Sequence, residues 1–189
     1  MVKKNACIFI SGSGTNLNAL IKSSRNYNFP INISYIISDT KKAKGLRFAK
    51  LYKIPYAIVD LNNKLNFELL LKNLKIKNIS LICLAGYMKL IKKKFILRFR
   101  KKILNIHPSL LPKYKGLNTF YRVLKYKEKI TGCTIHYVNE KLDAGKIILQ
   151  KKVLIEYKSN ETELKSKVQN QEYKAYSQAI YKIYSQLNF

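Results

Sequence analysis

The chain has 189 residues, 47% of them hydrophobic, with only seven Gly and four Pro, which suits one domain over 1–189 with a full core and excludes collagen-like or disordered chains. Lysines punctuate every apolar run before it reaches the ~20 residues of a membrane span. Met1 to Asn5 leads straight into a strand-like segment instead of a secretory signal, so a cytoplasmic protein without a membrane partner is expected. The formal charge of +27 points first to nucleic acid, but 32 of the 37 basic residues are Lys, whereas phosphate and base-edge recognition favours Arg. Lys, Asn, Ile and Tyr make up 86 residues, all read from A/T-rich codons, so composition accounts for the charge and no specific nucleic-acid partner is expected. The field would still attract anionic substrates.

In chain order, apolar runs rich in Val and Ile predict strands at Ala6 to Ile10, Ile33 to Ser38, Tyr56 to Val59, Ile79 to Leu84 and Ile103 to His107. Stretches with helical spacing lie between most of them. Phe67, Leu70, Leu71 and Leu74, for example, fall at i, i+3, i+4 and i+7, with Lys72, Lys75 and Lys77 toward water. Strands alternating with helices predict an α/β fold with a doubly wound, mostly parallel sheet. Thr131 to Val138 and Lys146 to Ile155, joined by a turn at Asn139 to Gly145, predict an antiparallel extension. A long C-terminal helix starts near Glu161, announced by Asn160 and Glu163, with Leu164, Val168, Ala175, Ala179, Ile183 and Leu187 toward the core. Cys7, Cys83 and Cys133 are odd in number and lie in apolar contexts, so buried thiols are expected rather than disulfides or a metal site.

The first strand runs through Ser11-Gly12-Ser13-Gly14-Thr15-Asn16 into a helical segment from Leu17. Glycines let backbone N–H groups crowd an anion, and Thr15 and Asn16 add donors, so this loop suits a phosphate monoester. It lacks the third glycine of the dinucleotide fingerprint and the P-loop lysine, which argues against NAD and ATP. The competing reading is a tight turn capped by Thr15 or Asn16.

Asn105 and His107 alternate onto one side of a strand end, and Asp143 lies in the turn between the last two strands, where a carboxylate can support an imidazolium. An amide donor, an imidazole and a carboxylate without a good nucleophile suit stabilisation of an oxyanion in direct acyl transfer. Ser109 is the rival nucleophile but has no G-x-S-x-G elbow. His136, inside the alternating strand Thr134 to Val138, reads as a satisfied core histidine. Pro108 and Pro112 bracket a sharp turn, which predicts a cis Leu111-Pro112 bond.

Five segments, ISGSGTNL at 10–17, LAGYMKL at 84–90, NIHPSLLPKYKG at 105–116, LDAGKIILQ at 142–150 and KVQNQEY at 167–173, span nearly the whole chain. By these motifs and their order it resembles the phosphoribosylglycinamide formyltransferases, folate-dependent enzymes of purine synthesis. The resemblance implies a Rossmann-like formyltransferase fold and transfer of a formyl group from the cosubstrate 10-formyltetrahydrofolate to the amine of glycinamide ribonucleotide, without a metal. It implies a catalytic trio of Asn105, His107 and Asp143. The nucleotide phosphate would sit on Gly14, Thr15 and Asn16, with Gln169, Asn170, Gln171 and Glu172 helping to hold that substrate. Folate contacts would come from Lys64, from Met88, Lys89, Leu90 and Ile91, from Asn105, and from Asn139, Glu140, Lys141, Leu142 and Asp143. The partners are then small molecules, and the protein a monomer or homodimer. Lys64 and Lys89 stand where the resemblance leads one to expect Arg, and a point charge cannot grip a carboxylate bidentately, so a weaker hold on the folate glutamate follows. Asn118 and Phe120 likewise replace expected histidines.

Methionyl-tRNA formyltransferases and formyltetrahydrofolate hydrolases look similar around the trio. The first would need an RNA-binding domain, for which 189 residues leave no room, and the second usually carries a preceding regulatory domain. A basic RNA-binding module would interleave charge with exposed aromatics, whereas Tyr173, Tyr176, Tyr181 and Tyr184 are spread around the last helix.

Overall fold

In the computed structural model, which describes residues 2–185, contacts group the chain into two compact units, Met1–Leu104 and Asn105–Phe189. The first unit alternates strand and helix as the apolar periodicity predicts: β1 (Lys4–Ile10), α1 (Thr15–Ser24), β2 (Ile31–Ser38), α2 (Leu46–Leu51), β3 (Tyr56–Ile58), α3 (Lys64–Ile76), β4 (Ile79–Leu84), α4 (Lys93–Phe99) and the start of β5 (Lys102–His107). Its strand order is β3-β2-β1-β4-β5. β1 pairs in parallel with β2 and with β4, and β2 with β3. Ala6 to Ile10 are fully buried, as expected for a central parallel strand that reads as a continuous apolar run. On α3, Phe67, Leu70 and Leu74 face the core, and Asn63 caps the helix by accepting from the Asn66 N–H. Lys77, expected in water, is instead half-buried, with its Nζ 5.1 Å from the centre of the Tyr35 ring.

The second unit holds the end of β5, then α5 (Thr119–Lys125), β6 (Ile130–Tyr137), β7 (Ile147–Leu154) and α6 (Glu161–Ser185), with strand order β5-β6-β7. β6 and β7 pair antiparallel, the predicted extension, and the register shifts between Ile135 and His136. The fold is thus α/β with a mixed, mostly parallel sheet and a long closing helix. The start of α6 is a capping box, in which Glu163 N–H donates to Asn160 Oδ1 and Asn160 N–H to Glu163 Oε2. Leu164, Val168, Ala175, Ala179 and Ile183 are buried as expected. Tyr176 is fully buried too, so it is core and not a surface tyrosine set by composition. Leu187 lies outside the described residues. All three cysteines are free and buried, and burial together with the Glu172 carboxylate pushes the Cys133 thiol up to about 12. Among the described residues no helix is long and apolar enough to cross a membrane.

Candidate active site

Asn105, His107 and Asp143 come together within the second unit. Asn105 and His107 sit two residues apart near the end of β5, so their side chains leave one face of the strand. Asp143 reaches them because its turn folds on itself: Lys141 N–H donates to Asn139 Oδ1 (3.0 Å) and Asn139 Nδ2 to the Ala144 carbonyl (3.2 Å). Asp143 itself takes φ 45°, a left-handed conformation that Asp tolerates better than most residues, and is 8% exposed.

Its two oxygens divide the site. Oδ2 accepts from the Gly116 N–H at 2.9 Å and lies 3.3 Å from His107 Nδ1. Oδ1 accepts from Asn105 Nδ2 at 3.4 Å and lies 3.7 Å from His136 Nε2. On its other side, His107 Nε2 donates to the Tyr114 carbonyl at 2.8 Å. A carbonyl only accepts, so Nε2 carries a proton. With a carboxylate on Nδ1, both ring nitrogens face acceptors, which is the environment an imidazolium requires.

The loop that supplies the carbonyl is braced. Tyr114 Oη and Lys113 Nζ both donate to Glu128 Oε1, which holds that carboxyl below its ordinary value, and Arg122 Nη2 donates to the Lys115 carbonyl at 2.6 Å. The Leu111-Pro112 bond is cis, as the bracketing prolines predict. Ser109 is fully buried and spends its hydroxyl on the Lys113 carbonyl at 2.6 Å, a structural hydrogen bond and not the setting of a nucleophile.

His136 is the residue that sequence reasoning placed differently. It is buried and satisfied, as a core histidine would be, but its partner is the site: Nδ1 lies 2.9 Å from the Tyr137 carbonyl and Nε2 3.2 Å from Asn105 Nδ2. Alternation along β6 gives its burial but not its neighbours, which are Asn105 on β5 and Asp143 in the turn. The Tyr114 carbonyl and the Gly116 N–H are main-chain groups that no residue type announces.

Of the other predicted residues in this unit, Glu140, Lys141 and Leu142 are exposed on the turn, and Asn139 is its hydrogen-bonding corner. On α6, Glu172 is buried, Gln169 and Gln171 are half-buried, and Asn170 is exposed.

In the first unit, the glycine loop is not capped by Thr15 or Asn16. The N-cap of α1 is Gly14, at φ 74°, with no side-chain cap. Gly45 N–H donates to the Gly12 carbonyl, and a Cβ on Gly14 would lie 2.5 Å from Gly45 Cα. Gly14 is therefore required twice, by its left-handed backbone and by the approach of a second chain segment. A helix start whose cap offers no side-chain acceptor suits an anionic ligand.

Lys64, Lys89 and Leu90 line one cavity of about 600 Å³, with Lys92, Lys94 and Phe67. Asp39, Asp60 and Tyr87, which the sequence did not single out, line it as well. Burial, with Asp39 and Asp60 nearby, pushes the Tyr87 hydroxyl well above its ordinary value. Met88 is exposed and its N–H binds Ser11 Oγ, whereas Ile91 is in the core.

Residues 4–180 match the family model described as formyl transferase. The chain is 41% identical over 181 residues to the phosphoribosylglycinamide formyltransferase of Haemophilus influenzae, covering 94% of this chain and 85% of that one. It is 36% identical to part of the trifunctional purine biosynthetic protein adenosine-3 of Gallus gallus, of which it spans 18%. The solved structure of phosphoribosylglycinamide formyltransferase from Anaplasma phagocytophilum superposes with a TM-score of 0.90 at 37% identity, over 98% of this chain and 88% of that one.

Proposed function

The chain belongs to the formyl transferase family, and from that premise we propose that it transfers the formyl group of 10-formyltetrahydrofolate to the amine of glycinamide ribonucleotide. The observation that carries this reading is the cluster of half-buried Asn105 with buried His107 and Asp143, in which His107 has an acceptor on each ring nitrogen and no nucleophilic side chain takes part. That is equipment for stabilising charge in a direct transfer. The amine attacks the formyl carbon, the new C–N bond forms, the bond to the folate nitrogen breaks, and the amine proton ends on that nitrogen.

Asn105 and His107 stabilise the oxyanion, and Asp143 balances the imidazolium. Every one of these donors has an internal acceptor, so the substrate oxygen must replace one of them. The contact given up first is the longest, Asn105 Nδ2 to Asp143 Oδ1 at 3.4 Å. Asn105, with the 139–143 turn, faces the folate. In the first unit, Gly14, Thr15 and Asn16 take the nucleotide phosphate, and Lys64 and Lys89 serve the folate carboxylates. The family match over 4–180 runs through both units, which supports reading 1–189 as one catalytic domain.

Purified protein given 10-formyltetrahydrofolate and glycinamide ribonucleotide is expected to consume the formyl group only when that acceptor is present. Formyl loss with methionyl-tRNA instead, or without any acceptor, would overturn the assignment in favour of the related tRNA enzyme or hydrolase.

Gly14→Ala tests the phosphate loop. Its side chain meets the left-handed penalty of about 1–2 kcal/mol, besides the overlap with Gly45. The overlap displaces the loop backbone, so calorimetry is expected to show glycinamide ribonucleotide binding weakened by on the order of tenfold, about 1.4 kcal/mol, with folate binding unchanged. Unaltered nucleotide affinity would place the phosphate elsewhere.

A further inference from the structure

We propose that His136, protonated at Nδ1 and bare at Nε2, is a positioning residue that fixes which end of the Asn105 amide faces Asp143. This rests on the formyl-transfer reading given above.

The argument begins at the Tyr137 carbonyl, 2.9 Å from His136 Nδ1. Since that oxygen can only accept, Nδ1 must carry the proton. In the neutral ring Nε2 is then an acceptor, and the atom beside it, 3.2 Å away, is Asn105 Nδ2. One amide proton goes to His136 Nε2 and the other to Asp143 Oδ1. Turning the amide over would set its oxygen against a lone pair and a carboxylate at once. A donor amide is held in place by two acceptors, one of them His136.

The surrounding backbone fixes the tautomer. Tyr137 N–H donates to the Lys146 carbonyl at 2.9 Å, and a Cβ at Gly145 would fall 1.6 Å from the Tyr137 oxygen, so the turn closes directly on the carbonyl that orients the ring. His136 is 2% exposed. Burial lowers its pKa against the opposing pulls of the Tyr137 carbonyl and Asp143, while the charges of His107 and Lys115 also lower it, so the ring keeps its bare Nε2 at neutral pH. The three titratable groups around it, Asp143, His107 and Lys115, thus include two that disfavour its charged form. A charged His136 would put a donor against the amide nitrogen and compete with His107 for Asp143.

Two measurements test the proposal. The first uses the unaltered enzyme: nitrogen-15 NMR of the His136 ring at neutral pH is expected to show a protonated Nδ1 and a bare Nε2. A protonated Nε2 would overturn the proposal whatever reaction the protein performs.

The second compares His136→Leu, which removes the acceptor, with His136→Gln, whose side-chain oxygen can occupy the Nε2 position. A reacting group misplaced by about 1 Å costs on the order of 10²-fold, so His136→Leu is expected to lower kcat by about tenfold to 10²-fold, with both KM values within about twofold. His136→Gln is expected to recover most of that loss. The double variant Asn105→Ala/His136→Leu is expected to be no slower than Asn105→Ala alone. Equal losses in the Leu and Gln variants, a loss confined to KM, or additive losses in the double variant would each reduce His136 to packing. Should the variants fail to fold, the NMR measurement still decides. Wild-type protein without formyl transfer would sink the functional reading and leave the tautomer result standing.

Discussion

Asp143→Asn is expected to lower turnover by about 10²-fold or more, the scale of a lost acid–base partner, while both substrates still bind. The amide keeps the shape of the carboxylate but cannot reproduce its two sides. With its oxygen toward the Gly116 N–H, the new NH₂ group points at Asn105 Nδ2, donor against donor, and toward His136 Nε2, the acceptor that Asn105 needs. With the amide turned over, the NH₂ group meets the Gly116 N–H instead. In either orientation His107 keeps the Tyr114 carbonyl on Nε2 but loses the anion on Nδ1, so an imidazolium is no longer compensated. The side chains of Asp143 and His107 are only 7% and 6% exposed, so water does not replace the missing charge. Single-turnover formyl transfer and equilibrium binding of each substrate separate the two effects. A variant within a few-fold of wild type would remove the charge of Asp143 from the mechanism.

How much of this was legible beforehand depended on whether side chains or backbone carried the information. The strand and helix alternation followed from apolar spacing, and β4 falls on Ile79–Leu84, the predicted range. Other ends differ by one or two residues, as with β1, which starts at Lys4 because an edge residue pairs without being apolar. Asn105 and His107 were legible because two residues along a strand share a face. Asp143 was legible because a turn between antiparallel strands brings its residues back to the sheet end.

What escaped was set by hydrogen-bond geometry. Alternation along β6 gives the burial of His136 but not the Asn105 amide that its Nε2 meets, 31 residues earlier in the chain. Tyr114 acts through its carbonyl at φ 57°, so the identity of its side chain says nothing about that role. Thr15 and Asn16 suggested a side-chain cap, yet the helix begins on Gly14, because the loop must also pass close to Gly45. The cavity around Lys64 and Lys89 includes Asp39 and Asp60, acids remote from the lysines in sequence, which only the packing of β2, β3 and the following loops brings to one wall.

Asn105→Ala removes the other half of the proposed charge-stabilising pair, and it is expected to lower turnover by about 10²-fold or more, the cost of one oxyanion donor, with little change in nucleotide affinity. Two consequences for the protein itself accompany the loss of rate. His136 Nε2 and Asp143 Oδ1 each lose their Asn105 donor, and a buried acceptor left unsatisfied costs about 1–3 kcal/mol, so some loss of thermal stability is expected as well. Asp143 still has the Gly116 N–H and His107 on its second oxygen, so the carboxylate stays seated and the His107 environment is largely preserved. Under the proposed mechanism the rate defect is expected in kcat and in the single-turnover step, where negative charge develops on the formyl oxygen. A pure stability defect would instead lower the active fraction at every substrate concentration and be relieved by cooling. Active-site titration with melting curves on the same preparation separates the two. Turnover per folded site within a few-fold of wild type would take Asn105 out of the oxyanion site and leave His107 as its only side-chain donor.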